Sequence, residues 1–177
     1  MYKRQILETV AIPELPTGNF GPYGGAVDGD GNFWFSQVEG GTELVRVPFD
    51  NPQAYEFFTH NIDAYGMQVD YKGRPWLCGR DGNIARFTPG NPGWWDYAQP
   101  GGEMWGCMPD SGAMWVGGSV GTIRGIDLES MVVVHEFALP GIDNNDIHGT
   151  SVDFDGYVWA VSRGTTAARV DQSTREV

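Results

Sequence analysis

The sequence predicts an all-β protein, a β-propeller of about four four-stranded blades, and three observations carry that prediction. One sequence unit occurs four times at a blade-like period, each unit holds an Asp and a Gly turn followed by a Trp, and helical periodicity is nearly absent. The copies read YGGAVDGDGNFWFSQ from Tyr23, YGMQVDYKGRPWLCG from Tyr65, WGCMPDSGAMWVGG from Trp105 and HGTSVDFDGYVWAVS from His148. Their tryptophans, Trp34, Trp76, Trp115 and Trp159, stand 42, 39 and 44 residues apart, the period of a propeller blade.

Within each unit the elements follow in order. An alternating segment makes the first strand, and DGDGN, DYKG, DSG and DFDG supply the tight turn into a second strand that carries the Trp. A glycine-rich loop leads to a third strand at 44–49, 84–88, 123–128 and 167–171. A fourth follows at 55–60, 94–98 and 131–139. Trp34, Trp76 and Trp159 are expected to be buried alike, each costing about 3 to 5 kcal/mol on change to Ala. Asp28, Asp30 and Asn32 resemble the start of a calcium loop, but the second unit has Lys72 in the same turn, so hairpin geometry is the better reading.

Residues 6–177 read as a single propeller domain, with repeats starting near 23, 65, 105 and 148. Residues 6–12, ILETVAI, fall where the last strand of a preceding or closing blade belongs. The opening Met1 to Gln5 matches nothing in the repeat and reads as a non-native leader, translated adapter from a metagenomic library. The chain is therefore expected to be an incomplete arc of a six- or seven-bladed ring; the alternative is a closed four-bladed propeller, with 6–12 completing the Trp159 blade.

Eleven basic against 23 acidic residues give a net charge of −12, with no local basic cluster, which disfavours nucleic acid as a partner. No stretch approaches the roughly 18 apolar residues of a membrane helix. Cys78 and Cys107 are too few for a disulfide framework and lack zinc-site spacing; they fall near one face of adjacent blades, where a bridge would favour an exported protein.

The stretch GPYGGAVDGDGNFWFSQ and its three copies resemble the propeller repeats of the virginiamycin B lyase (streptogramin lyase) group and, more loosely, NHL and gluconolactonase-type propellers. The order Gly, Asp, Gly, Trp, then Arg46, Arg86 and Arg169 in the third strand carries the resemblance; the third unit departs, with Gly125 in place of Arg. The resemblance implies a site in the central channel. It also implies enzymes, binding proteins and scaffolds alike, so it does not choose a chemistry. The lyase group uses magnesium with channel His and Glu residues, and those positions align with no residue of this chain.

The residue before the Gly of each first strand marks the channel mouth: Tyr23, Tyr65, Trp105 and His148. Two positions earlier stand Asp63, Glu103 and Asp146, while the first unit has Gly21. Converging carboxylates would hold magnesium or calcium, and flat aromatic faces stack on rings. The opposing reading has the aromatics packing between blades and the acids capping turns. His148 is the catalytic candidate, with Asp146 to orient it, because His60 and His135 fall on outer strands. Arg80 and Arg163, with Glu39 and Asp81, lie on loops of the same face and would set ligand charge preference. The leading expectation is an exported, extracellular or periplasmic propeller that binds a small molecule or protein at this face without turnover. The alternatives are a metal-dependent lyase or lactonase, and a scaffold.

Overall fold

The computed structural model describes residues 8–15, 21–90, 94–119, 121–143 and 146–173, and contains fifteen strands and no α-helix among them. Blade one is β1 (Pro22–Val27), β2 (Phe33–Gln37), β3 (Glu43–Val47) and β4 (Glu56–Thr59). Blade two is β5 (Ala64–Val69), β6 (Pro75–Gly79), β7 (Ile84–Phe87) and β8 (Trp95–Ala98). Blade three is β9 (Met104–Pro109), β10 (Ala113–Gly118), β11 (Thr122–Asp127) and β12 (Val133–Ala138). Blade four is β13 (Ile147–Val152), β14 (Val158–Ser162) and β15 (Ala167–Val170). Each is an antiparallel meander in chain order, so the first three sheets have four strands and the last has three. The innermost strands β1, β5, β9 and β13 lie side by side, β1 on β5, β5 on β9 and β9 on β13.

The sheets form an arc and are not closed into a ring: among the described residues β15 pairs only with β14. Of the segment 6–12, residues 6 and 7 lie outside the described residues and 8–12 join no sheet. Instead Gln53 donates to Glu8 (3.1 Å) and the Tyr55 hydroxyl to Glu14 (2.6 Å), which lays the segment against the β3–β4 connection of blade one. Polar bonds to blade one thus hold this stretch where a strand pairing was expected.

The turn that each unit repeats does more than reverse the chain. One carboxylate oxygen of Asp28, Asp70, Asp110 and Asp153 accepts the backbone N–H groups of its own turn. The other accepts the indole N–H of the blade's Trp, at 2.7, 2.9, 2.7 and 2.8 Å. Buried indole N–H groups require a partner, and the turn Asp supplies it locally. In Asp153 the Trp159 bond is the main cause holding the carboxyl below its usual range. Asp28 is thereby spent on its turn and on Trp34, in agreement with the hairpin reading over the calcium one.

The third-strand arginine completes the motif. Arg46, Arg86 and Arg169 lie 5.8, 5.5 and 5.6 Å from the ring centres of Trp34, Trp76 and Trp159. Blade three, where Gly125 replaces the Arg, fills the place from the next strand: His135 stacks on Trp115 at 5.4 Å and 16°. A Cβ on residue 125 would stand 3.1 Å from both rings, so the glycine and the histidine belong together. Expected on the outer rim, His135 is half-buried on the tryptophan.

The core consists of interblade layers. Trp76, Cys78, Met104, Met114 and Ile126 fill the blade two–three junction, and Trp34, Leu44, Leu77 and Phe87 the blade one–two junction. Trp34, Trp76 and Trp115 are at most 1% exposed. Trp159 departs from the expected uniform burial at 38% exposed, because blade four has no neighbour beyond it among the described residues. Of the Trp94 and Trp95 pair, Trp95 packs between blades, on Phe87 and against His60, while Trp94 is exposed.

Candidate functional site at the channel mouth

The ladder between first and second strands shifts register at one place in every blade: between Pro22 and Gly25, Ala64 and Gly66, Met104 and Gly106, and Ile147 and Gly149. The residues inside these bulges are Tyr23 with Gly24, Tyr65, Trp105 and His148. A bulge bends a strand and re-aims the extra side chain, so the four mouth residues are turned out of the blade cores by one repeated device. The glycine that follows has its own cause. A Cβ on Gly66 would lie 2.4 Å from the Trp105 carbonyl oxygen, and one on Gly106 would lie 2.8 Å from the Thr150 nitrogen. Only glycine lets adjacent innermost strands approach this closely.

The re-aimed side chains meet. The Tyr23 and Tyr65 hydroxyls are 2.9 Å apart, and the Tyr65 hydroxyl is 3.1 Å from His148 Nε2, joining blades one, two and four. The His148 ring stands edge-on to Tyr65 and to Trp105, with centroids at 5.7 and 4.8 Å. Burial, then the hydrogen bond and charge of Tyr23, push the Tyr65 phenol up to about 12, against the opposing charges of Arg163 and Arg80. Tyr65 therefore stays a phenol at neutral pH, with one proton and two lone pairs to share between Tyr23 and His148. Trp105 Nε1 and His148 Nδ1 are buried and have no partner.

The charged residues flank the rings in pairs. Arg80 reaches Asp63 (3.0 Å) and Glu39 (3.3 Å), and Arg163 reaches Asp146. The Arg163 guanidinium also lies 4.6 Å from the Trp105 ring centre, as a cation–π cover. Asp63 Oδ1 and Asp146 Oδ1, the oxygens turned away from the arginines, have no partner.

All six sequence-predicted ligand contacts, Tyr23, Tyr65, Trp105, His148, Arg80 and Arg163, are thus at one mouth. The three candidate metal ligands are not gathered. Asp63 and Asp146 are held by separate arginines, and among the described residues no three His, Cys, Asp or Glu side chains come together to hold an ion. The residues present do not fit magnesium or calcium. Nor does Asp146 orient His148: its bound oxygen serves Arg163, and the imidazole leans on Tyr65. His60, assigned to the outer rim, is 3% exposed, and burial pushes it down to about 4. Sequence reasoning missed the bulge that aims the mouth side chains, although its signal, an aromatic followed by Gly, was in each repeat.

Neither a family model nor a curated protein sequence matches the chain. Solved structures do. Virginiamycin B lyase from Staphylococcus aureus superposes with a TM-score of 0.76 at 17% identity, over 90% of this chain and 55% of that one. A catalytically inactive His-to-Ala variant of the same enzyme with Quinupristin gives 0.73 and 20%, over 89% and 55%. The extracellular domain assigned to a one component system from B. thetaiotaomicron gives 0.66 and 16%, over 90% of this chain and 25% of that domain. The chain spans about half the length of the lyase. No helix among the described residues is long and apolar enough to cross a membrane. The blade pattern and these superpositions together identify the fold as a β-propeller, present here as an arc of four blades like those of virginiamycin B lyase.

Proposed function

We propose that the chain is a binding module that takes a small, ring-bearing molecule at the channel mouth without turning it over. The observation that carries this reading is the pair of buried, unpartnered ring nitrogens, Trp105 Nε1 and His148 Nδ1, inside a cluster of four rings that bulges have turned together. A buried N–H without a partner costs stability in the empty protein and is recovered when an acceptor arrives. Trp Nε1 can only donate, so the ligand brings an acceptor there. The arginines arrive with carboxylates already paired to them, which favours a neutral ligand over an anion. Hydroxyl groups suit the free oxygens of Asp63 and Asp146. A neutral, hydroxyl- or carbonyl-bearing ring meets each of these demands.

A screen of methyl pyranosides and hydroxylated aromatic compounds by ligand-observed NMR, followed by calorimetry, tests the proposal. Saturable binding that weakens at least tenfold in Trp105→Ala, with the compound recovered unchanged, is the expected result; about 1.4 kcal/mol per tenfold is modest for a central aromatic anchor. A panel without a binder sinks it. The second reading, a lyase or lactonase, is favoured by one observation: a histidine stands at the mouth of a propeller whose fold neighbour is inactivated by a His-to-Ala change. Conversion of a bound compound, abolished in His148→Ala, would select that reading.

A further inference from the structure

The blade two–three junction holds the chain's two thiols, and the geometry around Gly66 brings them face to face. Gly66 on β5 pairs with Cys78 on β6, so a side chain at 66 would leave the sheet on the same face as that of Cys78. Gly66 leaves that seat vacant, and blade three closes over it: the Trp105 carbonyl oxygen lies 2.4 Å and the Cys107 Sγ 3.2 Å from where a Cβ on residue 66 would stand. Paired Cβ positions across a ladder are about 5 Å apart, and a disulfide joins Cβ atoms about 3.5 to 4.5 Å apart. The Cys107 thiol therefore lies on the same face as Cys78, and the two thiols are close enough to hydrogen-bond. Both belong to one core cluster with Trp76, Met104 and Met114, and are 0% and 7% exposed.

Other uses of two thiols do not suit this place. Burial, then the neighbouring Cys107, holds the Cys78 thiol well above its ordinary value, the opposite of an activated nucleophile. No third ligand joins them to make a metal site among the described residues. Their natural reaction partner is each other.

We propose that Cys78 and Cys107 form a reversible covalent cross-link between blades two and three, present as two thiols under reducing conditions and as a disulfide when a small disulfide such as oxidised glutathione is available. One cysteine thiolate attacks a glutathione sulfur, expelling one glutathione thiolate and leaving a mixed disulfide. The second cysteine thiolate attacks the protein sulfur of that mixed disulfide and expels the other glutathione thiolate. The two protons from the cysteines end on the two glutathiones; the cysteines are oxidised and the glutathione disulfide is reduced. Both thiols are enclosed, so exchange in the folded protein waits on opening of the junction, whereas refolding in the same buffer gives ready access.

The test is to equilibrate the full chain, native and refolded from urea, across ratios of reduced to oxidised glutathione. Free thiols are then titrated in denaturant, and intact mass, a peptide map and the urea midpoint are recorded. The expected result is loss of both thiols in one step, a monomer lighter by two hydrogens, a peptide joining 78 to 107, and a raised midpoint that falls back on reduction. The Cys78→Ala/Cys107→Ala double variant, which keeps no thiol, shows no dependence of its midpoint on the glutathione ratio; if it does not fold, the wild-type map and midpoint alone decide. Two persistent thiols after refolding in excess oxidised glutathione, stable mixed disulfides, cross-linked dimers, or a bridge that lowers the midpoint would each overturn the proposal.

Discussion

Two junctions of the same arc, blade one on two and blade two on three, are built from corresponding residues and end differently. At the second, Arg74 bonds Asp70 within its own blade and reaches across to the Leu128 carbonyl and Glu129; Lys72 joins at Glu129, and Arg86 reaches the carbonyls of Leu128 and Glu129. At the first junction Arg74 is replaced by Asn32, whose amide donates to Asp28 and accepts the Phe49 N–H, both within blade one, and Leu128 and Glu129 are replaced by Pro89 and Gly90. A crevice of roughly 910 Å³ remains there, lined by Asp28, Asn32, Trp34, Arg46, Tyr71 and Thr88 among others. The repeat specifies the blade, and the side chains that differ at corresponding positions on both sides of a seam, Arg74 with Glu129 against Asn32 with Gly90, separate a latched seam from an open one.

The largest expected effect tests the packing beneath the latch. Trp76→Ala, at a side chain sealed by blade three, is expected to lower unfolding free energy by about 3 to 5 kcal/mol in urea titrations. Trp159→Ala, at a ring already 38% exposed, is expected to cost less than half of that. Equal costs would erase the distinction between a covered blade and an uncovered one.

The latch itself comes next. Arg74→Ala removes the cationic partner of a fully buried carboxylate and one of the two donors to the Leu128 carbonyl; a loss of about 3 kcal/mol is expected. Arg74→Asn, which imports the blade-one residue, keeps a donor for Asp70 and should restore part of that loss. An Asn variant no better than Ala would show that the local bond is not what Asn32 contributes to blade one.

Acid separates the two seams. His60, at the blade one–two junction beside Trp95, has its protonated form disfavoured in the fold, down to about 4 against 6.5. The unfolded chain takes up the proton first, so stability should fall as pH drops from about 6.5 to 4, by roughly 3 kcal/mol for a shift of this size. Glu129, at the latched seam, is held down to about 2 by Lys72 and then Arg74, so its contribution is lost only as pH falls from 4.5 toward 2. Urea midpoints against pH should show two steps, and His60→Phe should abolish the upper one alone. An upper step that survives this change would remove His60 from the account.

Blade number, strand order and the mouth residues were legible because a repeat exposes them by comparison with itself. Tyr23, Tyr65, Trp105 and His148 share a position, and a shared position in an arc is a shared place in space. What was not legible depended on contacts between units. Asp63, Glu103 and Asp146 also share a position, yet two of them are claimed by arginines from later loops, and no alignment of repeats shows that. The exposure of Trp159 follows from the absence of a covering blade among the described residues, not from its own surroundings in sequence. His135 on Trp115 lay at the edge of legibility: Gly125 announced a missing Arg, but not which side chain would replace it.

The bond from turn Asp to Trp spans six residues in three blades and five in the other, whereas Tyr65 and His148 are 83 apart. The first contact is therefore inherited whole whenever a stretch of gene encoding one blade is duplicated, and the new copy arrives with its tryptophan already anchored. The second exists only between particular copies and is remade each time their order or number changes. Duplication thus preserves one face of the arc as it lengthens the chain, and leaves the other free to acquire a new specificity.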